Sequence, residues 1–519
     1  MLIWRGITGR HWFLQESFVP RELELEFGSI AARILANRNV DAQYILRGFS
    51  LIVKVASDFN VEEAVEEIVR AIRKKERIVI FADGDVDGIT GSVFLYSVLK
   101  AVGANVNVVL SSRKRGYGLN KELLRKLEGL GSVLITVDNG INSAKELSIT
   151  KMKTIVIDHH NPPDNLPRAI VISSKLSKSE HIRGLSSAGM VFYVCKALLE
   201  RLNSEIDLRI YLPLVALGTL ADVMPLNALN RRFVVAGMKI LNRCLELNVQ
   251  KIGLIEMLRY MNVKKVGTRD LTYGVIPRLN APGRLGMPEL SFNLLLSKDV
   301  LRIKHLINKI ENLNRFRKYL TREAFKSAIS QVKEGNVIVA RLPKDMGPVG
   351  GIVASKLAST FSKPAIVLHG EGELLKGSIR APASIDAFGL IRSLSHSLEQ
   401  FGGHRNAVGF FIAKKNLDSF LADVESAVSG LSKQYCPFDC ELDMKNVSPE
   451  VFNQIKSLEP FGEGFPEPVF ISKPAHNLKL YFESEVFKPH IFKKDIKVIY
   501  SLGESVNSFI VKDVVYGSI

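Results

Sequence analysis

Three observations predict an α/β fold with a doubly wound parallel sheet, a second smaller α/β domain joined by a long helix, and a C-terminal β-barrel. From about residue 50 to 240, apolar runs of strand length alternate with helical stretches. A helical pattern free of Gly and Pro then runs over residues 301–333. After residue 436 the pattern changes to short strands rich in aromatics.

In order, VEEAVEEIVRAIRKK precedes IVIF, SVFLYSVLKAV precedes VNVVL, NKELLRKLEGL precedes VLITV, and AKELSI precedes TIVI. Each pair reads as a helix returning the chain to the next parallel strand. In the stretch 301–333, apolar side chains fall at 303, 306, 307, 310, 313, 316 and 320. One helix of that length spans roughly 50 Å at 1.5 Å per residue, which suits a connector between domains. Its other face carries Arg302, Lys304, Lys309, Arg315, Arg317 and Lys318, either a solvated face or a nucleic-acid track.

A second α/β unit opens with NVIVA, a glycine-rich turn GPVGG, helical IVASKLASTF and the strand AIVLH. NLKLYF, EVFKPHIF, IKVIY and SFIVKDVV are the expected barrel strands. The expected domains are an N-terminal segment 1–50, a sheet domain 51–300, a connector 301–335, a second α/β domain 336–435 and a barrel 436–519.

Lys and Arg outnumber Asp and Glu by 70 to 53, giving a net charge of +17, a surplus that favours nucleic acid over other polyanionic partners. No apolar run approaches the roughly 18 residues of a membrane helix, and the opening MLIWRGITGRHWF lacks the layout of a signal peptide. A cytoplasmic protein with no membrane partner is expected. The four cysteines include one CPFDC pair and no second pair to complete a zinc site, so free thiols are expected.

The chemistry is concentrated at strand ends. In FADGDVDGIT, Asp83, Asp85 and Asp87 stand at alternate positions directly after a buried-strand run. Like charges that close are stable only when a cation or shared proton neutralises them. Asp138 follows VLITV, Asp158-His159-His160 follows TIVI, and Asp222 follows VALGTLA, read here as one more strand. A single strand-end Asp is ordinary turn or cap chemistry, but four such sites predict one crevice. Carboxylates with one or two imidazoles form a mixed O/N set that suits Mn²⁺ and accepts Mg²⁺, Co²⁺ or Zn²⁺. Two ions are expected, the arrangement that clamps in-line displacement on a phosphodiester or phosphoanhydride.

ADGDVDG, VDNG, DHH and LGTLADVMPL, in this order, resemble the four motifs of the DHH phosphoesterase superfamily. GYGLN, PRLNAPGRL, GGIVASKLA, GSIR, FGGHRNAVGF and EPFGEGFPEPVF resemble its RecJ family, and the resemblance covers almost the whole chain. It implies a DHH catalytic domain, a DHHA1-type substrate-binding domain and an OB-fold barrel. It also implies that Asp85, Asp87, Asp138, His159 and Asp222 are metal ligands, with Asp83 and His160 beside the metals and one aspartate shared by both ions. Arg113 and Tyr117 near the GYG turn, Arg278 and Asn280 in PRLN, Arg380 in GSIR, and Gly403 and His404 in GGH match positions that bind substrate in the family. Guanidinium suits phosphate because its fork takes two oxygens at once.

The chain departs from the family pattern at Gly84, Val86, Lys344-Asp345-Met346 and Phe465, none of which removes an expected ligand. In the barrel, Tyr481, Phe482, Phe487, Phe492, Tyr500 and Phe509 interleave with Lys479, Lys488, Lys493, Lys494 and Lys497, rings for stacking bases beside charges for phosphates. The resemblance implies a monomeric 5′-to-3′ exonuclease for single-stranded DNA, acting in recombination and repair with a single-stranded-DNA-binding protein and a RecQ-type helicase. Two alternatives compete with it: a DHH phosphatase or nanoRNase for short oligonucleotides or small phosphoesters, and an inactive DNA-binding scaffold.

Overall fold

The computed structural model describes residues 3–518 except 8–9, 15, 41–59, 113–117, 227, 383, 430–434, 475–477, 481–489, 493–495, 504 and 507. Two compact units result: Arg47–Arg317 with Pro460–Pro466, and Met1–Leu46 with Lys318–Glu459 and Glu467–Ile519.

The first unit is built on a five-stranded, all-parallel sheet. Across it the strands run Asn105–Leu110, Arg77–Ala82, Val133–Val137, Lys153–Ile157 and Ile170–Ile172. IVIFA and VLITV are buried throughout, as continuous β-branched runs must be when helices cover both faces. Val61–Arg73, Val86–Ala101 and Ser187–Arg201 pack into one core with Ile80, Val137 and Phe233. The earliest strand lies between the second and third, so the chain reverses its direction of winding at the adjacent carboxyl ends of Arg77–Ala82 and Val133–Val137. That is where an open α/β sheet leaves a crevice.

One expected strand is a helix. VALGTLA lies within Leu212–Ala221, an α-helix with Pro213 in its first turn and nearly every side chain buried. A helix apolar on all sides has no amphipathic period, so its pattern matches that of a buried strand. Asp222 is therefore delivered from a helix C-terminus.

The long helix runs over Val300–Ile329. Its first half buries Ile303, Leu306, Ile307 and Ile310 in the first unit's core, and its second half buries Leu320, Ala324, Phe325 and Ala328 in the second unit's.

The second unit contains two sheets. The mixed one orders Gln400–His404, Ala407–Ala413, Leu374–Arg380, Ala365–His369 and Ile338–Leu342. Leu374–Arg380 and Ala407–Ala413 alternate buried and partly exposed residues, because only one face meets the core. GPVGG is not an open turn: residues 344–349 form a 3₁₀ segment leading into the helix Gly350–Phe361.

The other sheet has seven strands, ordered Tyr435–Phe438, His11–Leu14, Ile3–Gly6, Phe509–Ser518, Lys497–Leu502, Phe470–Ile471 and Cys440–Glu441. Its two edge strands are consecutive pieces of one stretch, 435–441, so the sheet closes on itself as a barrel. Within it, Trp12 on the second strand donates from Nε1 to Asp513 Oδ2 on the fourth at 2.8 Å. Strands 3–6 and 11–14 are too short and too poorly alternating to be read from sequence, as is the helix Pro449–Ser457, capped by Ser448. Among the described residues no helix is long and apolar enough to cross a membrane.

Candidate metal centre

Asp83, Asp85 and Asp87 occupy the junction between the strand Arg77–Ala82 and the helix Val86–Ala101. Asp85 is the helix N-cap and accepts from Gly88 N at 3.1 Å. Asp83 accepts from Gly84 N at 2.7 Å and from the Ser111 hydroxyl. Asp87, fully buried, takes two amides at the start of the helix Ser187–Arg201, Ser187 N on Oδ2 at 2.6 Å and Ala188 N on Oδ1 at 3.1 Å. A helix N-terminus is a natural seat for a carboxylate.

Asp138 follows the third strand with φ +64°, in the left-handed region a non-glycine residue seldom adopts. Backbone strain of that kind marks sites where side-chain placement matters more than local comfort. Its Oδ1 accepts from Ser187 Oγ at 3.0 Å and lies 3.2 Å from His159 Nε2, which is 2.9 Å from Asp222 Oδ2. Asp158 stands behind the histidines, 2.7 Å from His160 Nδ1 and accepting from Ile141 N at 3.0 Å.

Asp138 is the common member of three groups of potential ligand atoms: Asp87 with His159 and Asp222, Asp83 with Asp85, and Asp158 with His160. Its Oδ2 is buried without a hydrogen-bond partner among the described residues. An orphaned carboxylate oxygen amid carboxylates and imidazole is the donor chemistry of a hard or borderline divalent cation. The residues therefore fit two ions sharing Asp138.

The electrostatics agree. Burial, reinforced by Asp222 and its neighbours in motif one, pushes Asp85 up to about 8. Burial and Asp222 lift Asp87 to about 6, and burial with Asp85 and Asp87 holds Asp138 well above the carboxylate range. Burial pulls His159 down, but Asp222, Asp87 and Asp158 outweigh it and raise it to about 9. His160 is also raised to about 9, burial being overcome by Asp158. Such a cluster holds protons where it would otherwise hold cations.

The other expected site residues are placed separately. Arg278 donates from Nε to Glu311 at 2.7 Å and from Nη1 to Gly274 O at 3.0 Å. Asn280 accepts from Val86 N at 3.1 Å through Oδ1, which braces the start of the motif-one helix. In the second unit, Arg380 and His404 are cross-strand neighbours of the same residue, Ala407, from its two sides. Gly403 has φ +147°, and a Cβ there would run into the Ala407 carbonyl. A Cβ on Gly351 would stand 3.0 Å from Arg380 Nη2, so the guanidinium lies at the N-terminus of the helix Gly350–Phe361. Arg113 and Tyr117 lie outside the described residues, as do Tyr481, Phe482, Phe487, Lys488, Lys493, Lys494 and the side chains of Lys479 and Phe492. Tyr500 is wholly buried with its hydroxyl on Leu442 O, so it serves the barrel core.

Sequence reasoning missed Ser187, whose amide and hydroxyl hold Asp87 and Asp138, and the bracing role of Asp158. The only available signal for Ser187 is the serine-rich start of a helix after Leu185.

A parallel sheet that gathers six acids and two histidines at its switch point, followed by a mixed α/β domain, defines an α/β protein of the DHH class. Accordingly, the DHH family N-terminal domain matches residues 77–219, the DHHA1 domain residues 334–430 and the RecJ OB domain residues 438–488. The chain is 31% identical over 475 residues to the single-stranded-DNA-specific exonuclease RecJ of Bacillus subtilis, covering 86% of this chain and 58% of that protein. To RecJ of Haemophilus influenzae it is 30% identical over 448 residues, covering 79% and 77%. It is similar to the crystal structure of RecJ in complex with Mn²⁺ from Thermus thermophilus, with TM-score 0.81, 26% identity, and coverage of 96% of this chain and 78% of that one. The chain belongs to the RecJ family. It spans less than two thirds of the Bacillus relative's length.

Proposed function

We propose that the chain is a metal-dependent exonuclease that hydrolyses single-stranded DNA from the 5′ end to mononucleotides, in recombination and repair in the cytoplasm. The observation that carries this is the convergence of Asp83, Asp85, Asp87, His159 and Asp222 on the orphaned carboxylate of Asp138, in a chain of the RecJ family. Asp87, Asp138, His159 and Asp222 would hold one ion, and Asp83, Asp85 and Asp138 the other, with Mn²⁺ or Mg²⁺ the cations these donors suit. When bound, such a pair neutralises phosphate charge and makes water a nucleophile at neutral pH.

The chain's own residues have separate roles. Ser187 and Ala188 amides hold Asp87 as an oriented carboxylate, and Ser187 Oγ does the same for Asp138. Asp158 orients His160 through Nδ1, which leaves Nε2 as the ring nitrogen for the scissile phosphate. Arg278 and Asn280 in the first unit, and Arg380, Gly403 and His404 in the second, form the substrate contacts, with Arg113 and Tyr117 completing them. The barrel strands bind the trailing strand. Residues 51–300, 301–335, 336–435 and 436–519 serve as catalytic domain, connector, substrate-binding domain and nucleic-acid-binding domain. Single-stranded-DNA-binding protein and a RecQ-type helicase supply substrate to a monomer.

Digestion of single-stranded DNA labelled at either end, with Mn²⁺, Mg²⁺ or EDTA, tests the proposal. Metal-dependent release of mononucleotides from the 5′ end, with duplex resisted, is expected. Cleavage from the 3′ end, or of dinucleotides only, would refute it.

A further inference from the structure

The turn that follows Asp222 is strained and is held from outside. Val223 has φ +52°, left-handed backbone that is a genuine outlier for a β-branched side chain. It stands just beyond the helix Leu212–Ala221, where glycine usually ends a helix: Val223 N donates to Leu220 O at 3.3 Å and Met224 N to Thr219 O at 3.0 Å. The valine side chain is 62% exposed, so its burial does not offset the strain. A conformation of this kind persists only where the surroundings impose it.

Much of that surrounding structure comes from residues 460–466, which belong to the first unit although the chain on either side of them belongs to the second. Glu463 O accepts from Leu226 N at 2.7 Å, and Leu226 is buried. Gly462 N donates to Phe465 O at 2.9 Å and Phe465 N to Gly462 O at 3.1 Å, so the segment is a tight turn. A Cβ on Gly462 would stand 3.0 Å from Leu226 Cδ1. Phe465, a position where the chain departs from the family pattern, is buried and stacks on Phe461 with ring centroids 5.8 Å apart. The guanidinium of Arg231 lies over the Phe465 ring at 5.2 Å and donates from Nη1 to Pro460 O at 2.9 Å. Arg231 is itself buried, and a buried cation needs such contacts, so it ties the segment down. From a second direction, Asn230 Nδ2 donates to Pro225 O at 2.8 Å.

We propose that residues 460–466 clamp the turn 222–226 and so hold Asp222 against His159, with Phe465 and Arg231 acting as positioning residues for that metal ligand. The Asp222 carboxylate, 2.9 Å from His159 Nε2, is one residue from the strained Val223. Loosening the clamp lets Val223 relax to negative φ, and the peptide that joins it to Asp222 turns with it. The inference rests on the metal centre of the proposed function and adds to it a segment that supplies no ligand.

The test is Mn²⁺ binding to the full chain, read from the electron paramagnetic resonance signal of free Mn²⁺, alongside melting temperatures in EDTA. Phe465→Leu should weaken the binding of one Mn²⁺ about tenfold, the size expected when support for a ligand is lost. Arg231→Lys keeps the charge but loses the planar contact with the ring, and it carries the same test if the Leu variant does not fold. Phe438→Leu, an equal truncation in the barrel core, is the control: it should lower the melting temperature and leave Mn²⁺ affinity within about twofold.

Val223→Gly separates positioning from general support. Glycine takes the left-handed conformation without strain, so adding this change to Phe465→Leu should return Mn²⁺ affinity to within about threefold of the wild type. Folded Phe465→Leu and Arg231→Lys chains with normal Mn²⁺ affinity, or a loss that Val223→Gly does not repair, would overturn the inference. A wild-type chain that binds Mn²⁺ and cuts no DNA would refute the nuclease proposal and leave the clamp to the binding data. One that binds no Mn²⁺ would overturn both.

Discussion

The parallel sheet of the first unit and the mixed sheet of the second both carry polar residues at strand ends, yet they hold them differently. In the first, six acids and two histidines crowd one crevice, and backbone amides of Gly84, Gly88, Ile141, Ser187 and Ala188 restrain the carboxylates. In the second, Arg380 and His404 flank Ala407 in register, and the N-terminus of a helix stands beside the arginine. The first arrangement is over-supplied with negative charge and is completed by cations. The second gathers donors of the kind that, on the proposed function, would receive an anion. A molecule that brings a polyanion to divalent metals needs both, so disturbing each should leave a different kinetic signature.

The largest effect is expected from Asp138→Ala. It removes the shared ligand, so activity should fall by more than the roughly 10- to 100-fold that follows loss of a group merely supporting a ligand. The same change relieves repulsion among buried acids, so the metal-free melting temperature should rise while activity disappears. Calorimetry in EDTA paired with a digestion assay reads both, and a melting temperature that falls would contradict the charge argument.

Gly218→Ala is a milder disturbance of the same crevice. A Cβ at 218 would run into Asp87 Oδ1 and come within 2.9 Å of the Ala188 Cβ. Displacing Asp87 from its two amides should weaken Mn²⁺ activation about 10- to 100-fold. An Mn²⁺ titration of the rate measures it, and normal activation would show that Asp87 has room to shift.

Arg380→Gln should act only on the anion side. Loss of a charged hydrogen bond at a partly exposed position is worth about 1.5 kcal/mol, roughly tenfold in KM. The Mn²⁺ dependence should not move. A changed metal dependence would mean that the two sheets do not divide the work in this way.

The smallest effect is on stability with pH. Asp87 and Asp85 are raised to about 6 and about 8 from a carboxylate's ordinary value near 4. The folded, metal-free chain thus holds more protons than the unfolded chain, and stability should fall as pH rises through that interval. His159 and His160, raised to about 9, add stability that is complete below pH ~6.5 and lost as pH passes 9. Both act in one direction, so the melting temperature in EDTA should decline from pH 5 to 9. Added Mn²⁺ should reverse the decline, because deprotonated ligands bind it best.

The same contrast explains what was legible in the sequence. Strand-end ligands follow continuous apolar runs, so Asp83, Asp85, Asp87, Asp138 and His159 could be placed in one crevice from periodicity and the rule for open sheets. Asp222 was placed there too, but on the wrong element, because a helix buried on every side reads as a strand. Arg380 and His404 depend on cross-strand register, which no local pattern encodes, and only the family resemblance singled them out. Ser187 was invisible because its contribution is partly a backbone amide, which every residue but proline has. The barrel's first strands escaped notice since they pair with strands from the far end of the chain.

That separation sets an order of events during synthesis. Ile3–Gly6 pairs with Phe509–Ser518, and His11–Leu14 pairs with Tyr435–Phe438. At roughly 5–20 residues per second, the earliest strands leave the ribosome about half a minute to two minutes before their last partner exists. Through that wait they are unpaired edges, open to capture by other nascent chains. The parallel sheet, completed by residue 172, can form long before. Ligand assembly is therefore an early event in the life of the chain, and barrel closure is a late one.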